Sequence, residues 1–180
     1  MPLPDRIHIF GASGSGVTTL AAAIAERFGH IHLDVDRYFW EPTFPPFRNI
    51  REVTARRRML AEALDTYPLW VLAGSLCGWG DIFIPRFGLA VFLHIPHELR
   101  MARIMEREQQ RYGAAIAEGG QMRTQHLEFI EWASSYETAD ESMRSLRLHE
   151  KWIATLPCRC IRLEGDQTTA ERLARLDASG

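Results

Sequence analysis

At 180 residues the chain is long enough for one domain with a real core. Its apolar share of 46% and charged share of 24% are ordinary for a soluble globular protein. A net charge of −2 gives no general reason to expect nucleic acid or an anionic membrane as a partner. Lys151 is the only lysine, so nearly all positive charge is arginine, whose planar fork suits phosphate. A compositional bias of the genome explains the same skew equally well. Cys77, Cys158 and Cys160 lack the paired spacing of a zinc site and read as small hydrophobes in a reducing cytosol. The first residues carry no charged-then-apolar signal pattern, and no apolar run approaches a membrane span. The expectation is therefore a cytoplasmic protein. No repeat or low-complexity tract divides the chain, so one domain over 1–180 is expected.

Ile7 to Phe10 is a short apolar run interrupted only by His8, and it predicts a buried strand. Gly11, Ala12, Ser13, Gly14, Ser15 and Gly16 follow as a small-residue loop. Val17, Leu20, Ala21, Ile24, Ala25 and Phe28 then recur at helical spacing, and Gly29 is a natural helix stop. A strand, a glycine turn and a helix N-terminus together make an anion cradle of inward backbone N–H groups. The loop fits G-x-x-x-x-G-K-[ST] at every fixed position but one: Gly11, Gly16 and Thr18 match, and Val17 stands where lysine is expected.

His30 to Leu33 predicts a second strand, ending in Asp34-Val35-Asp36. The aromatic, proline-rich stretch after it excludes a regular helix around Pro42, Pro45 and Pro46, and reads as a packed loop or a substrate-side flap. A helix is predicted from about Asn49 to Asp65, with Arg56, Arg57 and Arg58 as a basic patch. Leu69 to Ala73 is a third strand, and the apolar run Leu89 to Ile95 a fourth, as in a doubly covered parallel sheet. Pro96 opens a helix running to about Tyr112. Arg100, Arg103, Arg107 and Arg111 lie along one side of it, with Leu99, Ala102 and Met105 opposite. That stripe is either a solvated face or a set of phosphate ligands. Further helices are expected near Thr124 to Trp132 and Ser142 to Thr155. A fifth strand covers Cys158 to Leu163, and a last helix opens on a Thr168–Glu171 capping box. Strands alternating with helices imply a parallel sheet covered on both faces.

GASGSGVTTL, LDVD, AGS and the arginine helix together resemble the small P-loop kinases, the shikimate-kinase and adenylate-kinase-like proteins. The resemblance implies an α/β P-loop NTPase fold, a five-stranded parallel sheet in order 2-3-1-4-5, and a helical lid at about 112–150. It implies ATP and Mg²⁺ as cofactors and a small-molecule acceptor. Gly11, Ala12, Ser13, Gly14, Ser15, Gly16, Val17, Thr18 and Thr19 would wrap the ATP phosphates, with Thr18 and Asp34 serving Mg²⁺. Asp36 would contact the acceptor hydroxyl, and the Gly74-Ser75 turn would face the acceptor. Arg107 and Arg111 would act from the lid, with Arg103 beside the nucleotide and Gly165 near the adenine ring. Since Val17 removes a cation, a lid arginine is expected to replace it, and Arg100 is expected to stay outside the site.

The reaction implied is transfer of the terminal phosphoryl group of ATP to a small, anionic metabolite or nucleotide. Val17 keeps open a second reading, a nucleotide-binding sensor without transferase activity. A third reading takes Gly11, Gly14 and Gly16, with Asp34 about 20 residues on, as a dinucleotide turn of an NAD-dependent oxidoreductase. The short chain and the paired Thr18-Thr19 weigh against it.

Overall fold

A computed structural model describes residues 3–178. The strands are β1 (Arg6–Gly11), β2 (Ile31–Asp34), β3 (Trp70–Ala73), β4 (Leu89–His94) and β5 (Arg159–Glu164). They form one parallel sheet in the order β2-β3-β1-β4-β5. The three central strands are buried almost throughout, as their near-continuous apolar runs require. The edge strands β2 and β5 are only partly covered. Ile7 to Ile9 are in register with Val71 to Ala73 on one side and Leu89 to Val91 on the other.

The helices are α1 (Val17–Phe28), α2 (Val35–Phe39), α3 (Val53–Thr66), α4 (His97–Tyr112), α5 (Arg123–Ser134), α6 (Leu146–Ile153) and α7 (Thr169–Asp177). On one face of the sheet, α1 and α7 bury Leu20, Ala21, Ile24, Leu173 and Leu176 against Ile7, Ile9, Val71, Val91 and Leu93. The other face is aromatic: Phe10, Trp70, Phe87, Phe92 and Trp152 pack with Leu60 and Leu64 of α3. His8 belongs to this second face. It stacks on Phe10 and Phe87 at ring separations of 5.3 and 4.7 Å, and its Nδ1 lies 3.2 Å from the Leu72 carbonyl. Burial lowers its pKa to about 3, so a neutral ring fills a core position.

Most element boundaries follow from caps. α3 begins at Val53, later than the apolar pattern suggests, because the Glu52 carboxylate accepts the Ala55 N–H. α6 begins at Leu146 because Ser145 Oγ accepts the Leu148 N–H. The Thr168–Glu171 capping box at α7 is present as expected. The helix α2 had no periodic signal: it is five residues long and exists because Asp34 Oδ1 accepts the Asp36 N–H at 2.9 Å. The cysteines are free and half-buried, and burial pushes the thiols of Cys77 and Cys160 up to about 11. Among the described residues no helix is long and apolar enough to cross a membrane.

Candidate active site

The strand-to-helix loop stands at the C-terminal edge of the sheet, between β3 and β4. Gly14 and Gly16 take positive φ values of 81° and 92°, which an L side chain rarely adopts. The Gly14 backbone lies so close to α4 that a Cβ there would meet Arg100 O and Ile104 Cγ1 at 2.8 Å. The first helical hydrogen bond of α1 runs from the Leu20 N–H to the Gly16 carbonyl. The N–H groups of Val17, Thr18 and Thr19 therefore have no helical acceptor. With the helix dipole they make the anion cradle that the glycine spacing implies. Gly11 and Ala12 are buried beneath it, while Thr18 and Thr19 are exposed above. Val17 packs on the apolar core of α1 and β4.

Gly16→Val is expected to abolish ATP binding, because it needs a strained φ and puts Cβ 2.9 Å from Arg172 Nη1. Titration calorimetry on a variant shown to be folded checks this.

Across the crevice, Asp34 ends β2 and caps α2, and Asp36 lies in the first turn of that helix. Both line a cavity of about 560 Å³ with Trp40, Pro46, Phe47 and Met59. Asp36 reaches solvent through the cavity mouth, but surrounding protein shields its carboxyl. Burial, and next the Asp34 carboxylate, hold its pKa above the ordinary aspartate value. Arg144, a hydrogen bond with Trp40 and Arg107 pull the other way. Arg107 acts on Asp36 only through its charge; its guanidinium lies 3.5 Å from Glu108 and over the Phe129 ring at 5.8 Å. Arg103 lies beside the β5–α7 turn and bonds Asp166 at 3.1 Å. Arg111 is exposed at the end of α4, and Gly165 follows β5 with its N–H on the His94 carbonyl.

The stripe is not uniform, and its first member is where sequence reasoning fails. Arg100 is 1% exposed, so it belongs to no solvated face. Its Nη1 donates to Ser13 O and Ala133 O at 3.3 and 2.8 Å, and its Nη2 meets both Glu137 oxygens at 2.8 and 3.1 Å. The buried face of α4 is Arg100, Ile104 and Glu108, while Met105, assigned to the opposite side, is 48% exposed.

Arg172 and Arg144 were not singled out in the sequence, and Arg56 was read only as part of a basic patch. Arg172 of α7 is buried and donates to Ser15 O at 3.0 Å. Its signal was available, since it is four residues before Leu176 on a helix with few apolar residues. Arg144 stacks over Trp132 at 5.4 Å and faces Asp36. Arg56 lies between Phe39 and Trp79 at 4.5 and 4.9 Å, with Nε and Nη1 buried and unpartnered among the described residues. Ser75, at the Gly74 turn after β3, is 3.0 Å from His149 Nε2, and His149 Nδ1 is 2.7 Å from the Tyr136 hydroxyl. Burial and then Arg144 lower the His149 pKa to about 3, so this chain is neutral. Lys151 pairs with Glu141, away from the loop.

The sheet order bears on the dinucleotide reading. Here β3 separates β1 from β2, whereas a dinucleotide fold sets strands 1 and 2 side by side. Among the described residues no group of three His, Cys, Asp or Glu side chains could hold a metal alone. The exposed Thr18 hydroxyl and the second oxygen of Asp34 are hard donors of the kind Mg²⁺ accepts, and they fit an ion that arrives with a nucleotide.

No protein-family model matches the chain. The uncharacterized protein YqaC of Bacillus subtilis is 44% identical over 174 residues, covering 97% of this chain and 96% of YqaC. The cytidylate kinase of Methanoregula boonei is 26% identical over 164 residues, covering 82% of this chain and 86% of that protein. Among solved structures, shikimate kinase from Acinetobacter baumannii in complex with shikimate has a TM-score of 0.56 at 21% identity. The match covers 97% of this chain and 91% of that one, and is a likeness of fold. The chain belongs to the same family as YqaC, and it carries the fold of the small P-loop kinases.

Proposed function

We propose that this protein is a kinase that transfers the terminal phosphoryl group of ATP to a hydroxyl or phosphate oxygen of a small anionic acceptor. The observation that carries this reading is the Asp36 carboxyl just after β2, which lines the cavity and is held above the ordinary aspartate pKa chiefly by burial, with the charges of Arg144 and Arg107 acting in the opposite sense. Phosphoryl transfer needs two things of a protein, positioning and charge neutralisation. Gly11 to Thr19 would bind the phosphates, Arg103 and Gly165 the nucleoside end, and Arg107 and Arg111 would approach the transferring group as 112–150 closes. Mg²⁺, held through Thr18 and Asp34, would offset phosphate charge. Asp36 would accept the acceptor's hydroxyl proton as that oxygen bonds to the terminal phosphorus and ADP leaves.

Arg144 and Arg56 favour an anionic acceptor. Arg56 has Nε and Nη1 buried and unpartnered among the described residues, a desolvation cost that a bound carboxylate or phosphate would offset, and Arg144 adds positive charge near Asp36. The cavity of about 560 Å³ is of a size for one small metabolite or nucleotide. The likeness to shikimate kinase and cytidylate kinase supports the same class without choosing between them.

The test is ATP turnover against shikimate, gluconate, nucleosides and nucleoside monophosphates. ADP release that depends on one of these acceptors is the expected result. Saturable ATP binding with no turnover on any anionic acceptor would favour the sensor reading.

A further inference from the structure

The loop lacks its lysine, yet two buried guanidinium groups grip it from behind. Arg100 of α4 donates to the carbonyl of Ser13, and Arg172 of α7 to the carbonyl of Ser15. The peptides that follow are trans, the one cis bond in the described chain being Phe44–Pro45. In a trans peptide the C=O and the next N–H point in opposite directions. Holding Ser13 O outward therefore turns the Gly14 N–H inward, and holding Ser15 O does the same for Gly16.

The two arginines differ in net charge. Arg100 is neutralised by the Glu137 carboxylate at 2.8 Å. Arg172 is 3% exposed, and its Nε and Nη2 have no hydrogen-bond partner among the described residues. The nearby acid, Asp166, is hydrogen-bonded to Arg103. A Cβ on Gly16 would come within 2.9 Å of Arg172 Nη1, so this charge lies one residue from the position where the lysine is missing.

We infer that Arg172 is a positioning residue that takes over the charge lost at Val17, acting on bound phosphate through the Ser15–Gly16 peptide. This rests on the kinase reading and adds the residue that lets the loop work without lysine. The guanidinium polarises and orients the Gly16 N–H, and its charge, which has no hydrogen-bonded carboxylate among the described residues, lies behind the cradle. Burial, and then the like charge of Arg103, lower its pKa, and an anion in the loop offsets that repulsion.

The test is calorimetric titration of ATP, and separately of inorganic tripolyphosphate, into the full chain and its variants, with melting temperatures alongside. Arg172→Met is expected to weaken both ligands about tenfold or more, the scale of one charged contact. Equal loss on the two ligands marks a phosphate effect. Arg172→Lys should recover most of the affinity. Val17→Lys should restore binding in the Arg172→Met background, and should improve it far less in the wild type, where the charge is already present.

Unchanged tripolyphosphate affinity in Arg172→Met overturns the inference, as does a loss confined to ATP. If Arg172→Met does not fold, the comparison moves to Arg172→Lys and to Val17→Lys alone. A large gain from Val17→Lys in the wild type then overturns it. A wild type that binds neither ligand sinks the kinase reading itself, an outcome distinct from a wild type that binds and a variant that binds equally.

Discussion

Arg100→Met is expected to destabilise the protein by about 3 kcal/mol, the lower end for breaking a buried ion pair because Glu137 keeps some solvent access. For a chain of this size the melting temperature should fall by about 6–12 °C. Methionine keeps the hydrocarbon stem packed but leaves three acceptors short of a donor: Ser13 O, Ala133 O and the Glu137 carboxylate. The loss should depend on pH. Burial alone would raise the Glu137 pKa, but hydrogen bonds from His97 and Arg100 outweigh it and hold the pKa below the ordinary glutamate value. A depressed carboxylate contributes stability above its unfolded pKa, and that stability is lost as pH falls through the folded value. The gap between wild type and variant should therefore be full at neutral pH and narrow in acid. Glu137→Gln combined with Arg100→Met should cost less than the sum of the two, since each leaves the same pair incomplete. A pH series of thermal melts measures all of this, and a flat difference across pH would contradict it.

Asp36→Asn is expected to lower turnover about 100-fold, the scale of a lost general base, while leaving ATP affinity within a few-fold. Stability should move the opposite way from that seen at Arg100. The folded pKa of Asp36 is raised by burial first and by Asp34 second. A raised carboxylate pKa means that the folded state holds its proton longer than the unfolded state. Stability is then lost as pH rises from the unfolded value through the folded one. At neutral pH the charged Asp36 costs stability, so the uncharged amide should melt no lower than wild type. In the wild type, turnover should fall as pH drops through the raised pKa of Asp36, because the base must be ionised to accept a proton. A variant that melts lower and loses turnover in proportion would make Asp36 a structural residue.

The strands were accessible from sequence because β1, β3 and β4 are apolar runs bounded by turns and the glycine loop names the strand–helix junction, whereas their order came only from the resemblance to the small P-loop kinases. The helix α2 was not accessible, since five residues are too few to carry a period; Asp34 builds it with one hydrogen bond. The failure at Arg100 has a different cause. Periodicity identifies which residues share a side of a helix, but not which side faces inward. In α4 the apolar residues Leu99, Met101, Ile104 and Met105 are scattered around the axis, and only Ile104 is fully buried. The arginines therefore read as one surface stripe, though the first of them is buried and anchors the loop. The spacing of α7 marks Arg172 as inward, but its partner Ser15, 157 positions away, meets it only in the fold. The DxD acids were found by their place at the end of β2. The nearness of Arg144 to Asp36, and the seat of Arg56 between Phe39 and Trp79, emerge only in the folded chain.

Occupation of the Gly11–Thr18 loop by the phosphates of ATP is the most direct consequence of the proposed function. The measurement is a titration of the ¹⁵N-labelled protein with ATP and Mg²⁺, following backbone amide resonances. The expected result is saturable shifts of the Gly14, Gly16, Val17 and Thr18 N–H signals, reproduced by tripolyphosphate and not by NADH. Shifts that saturate elsewhere in the molecule while these four amides stay still would contradict the account.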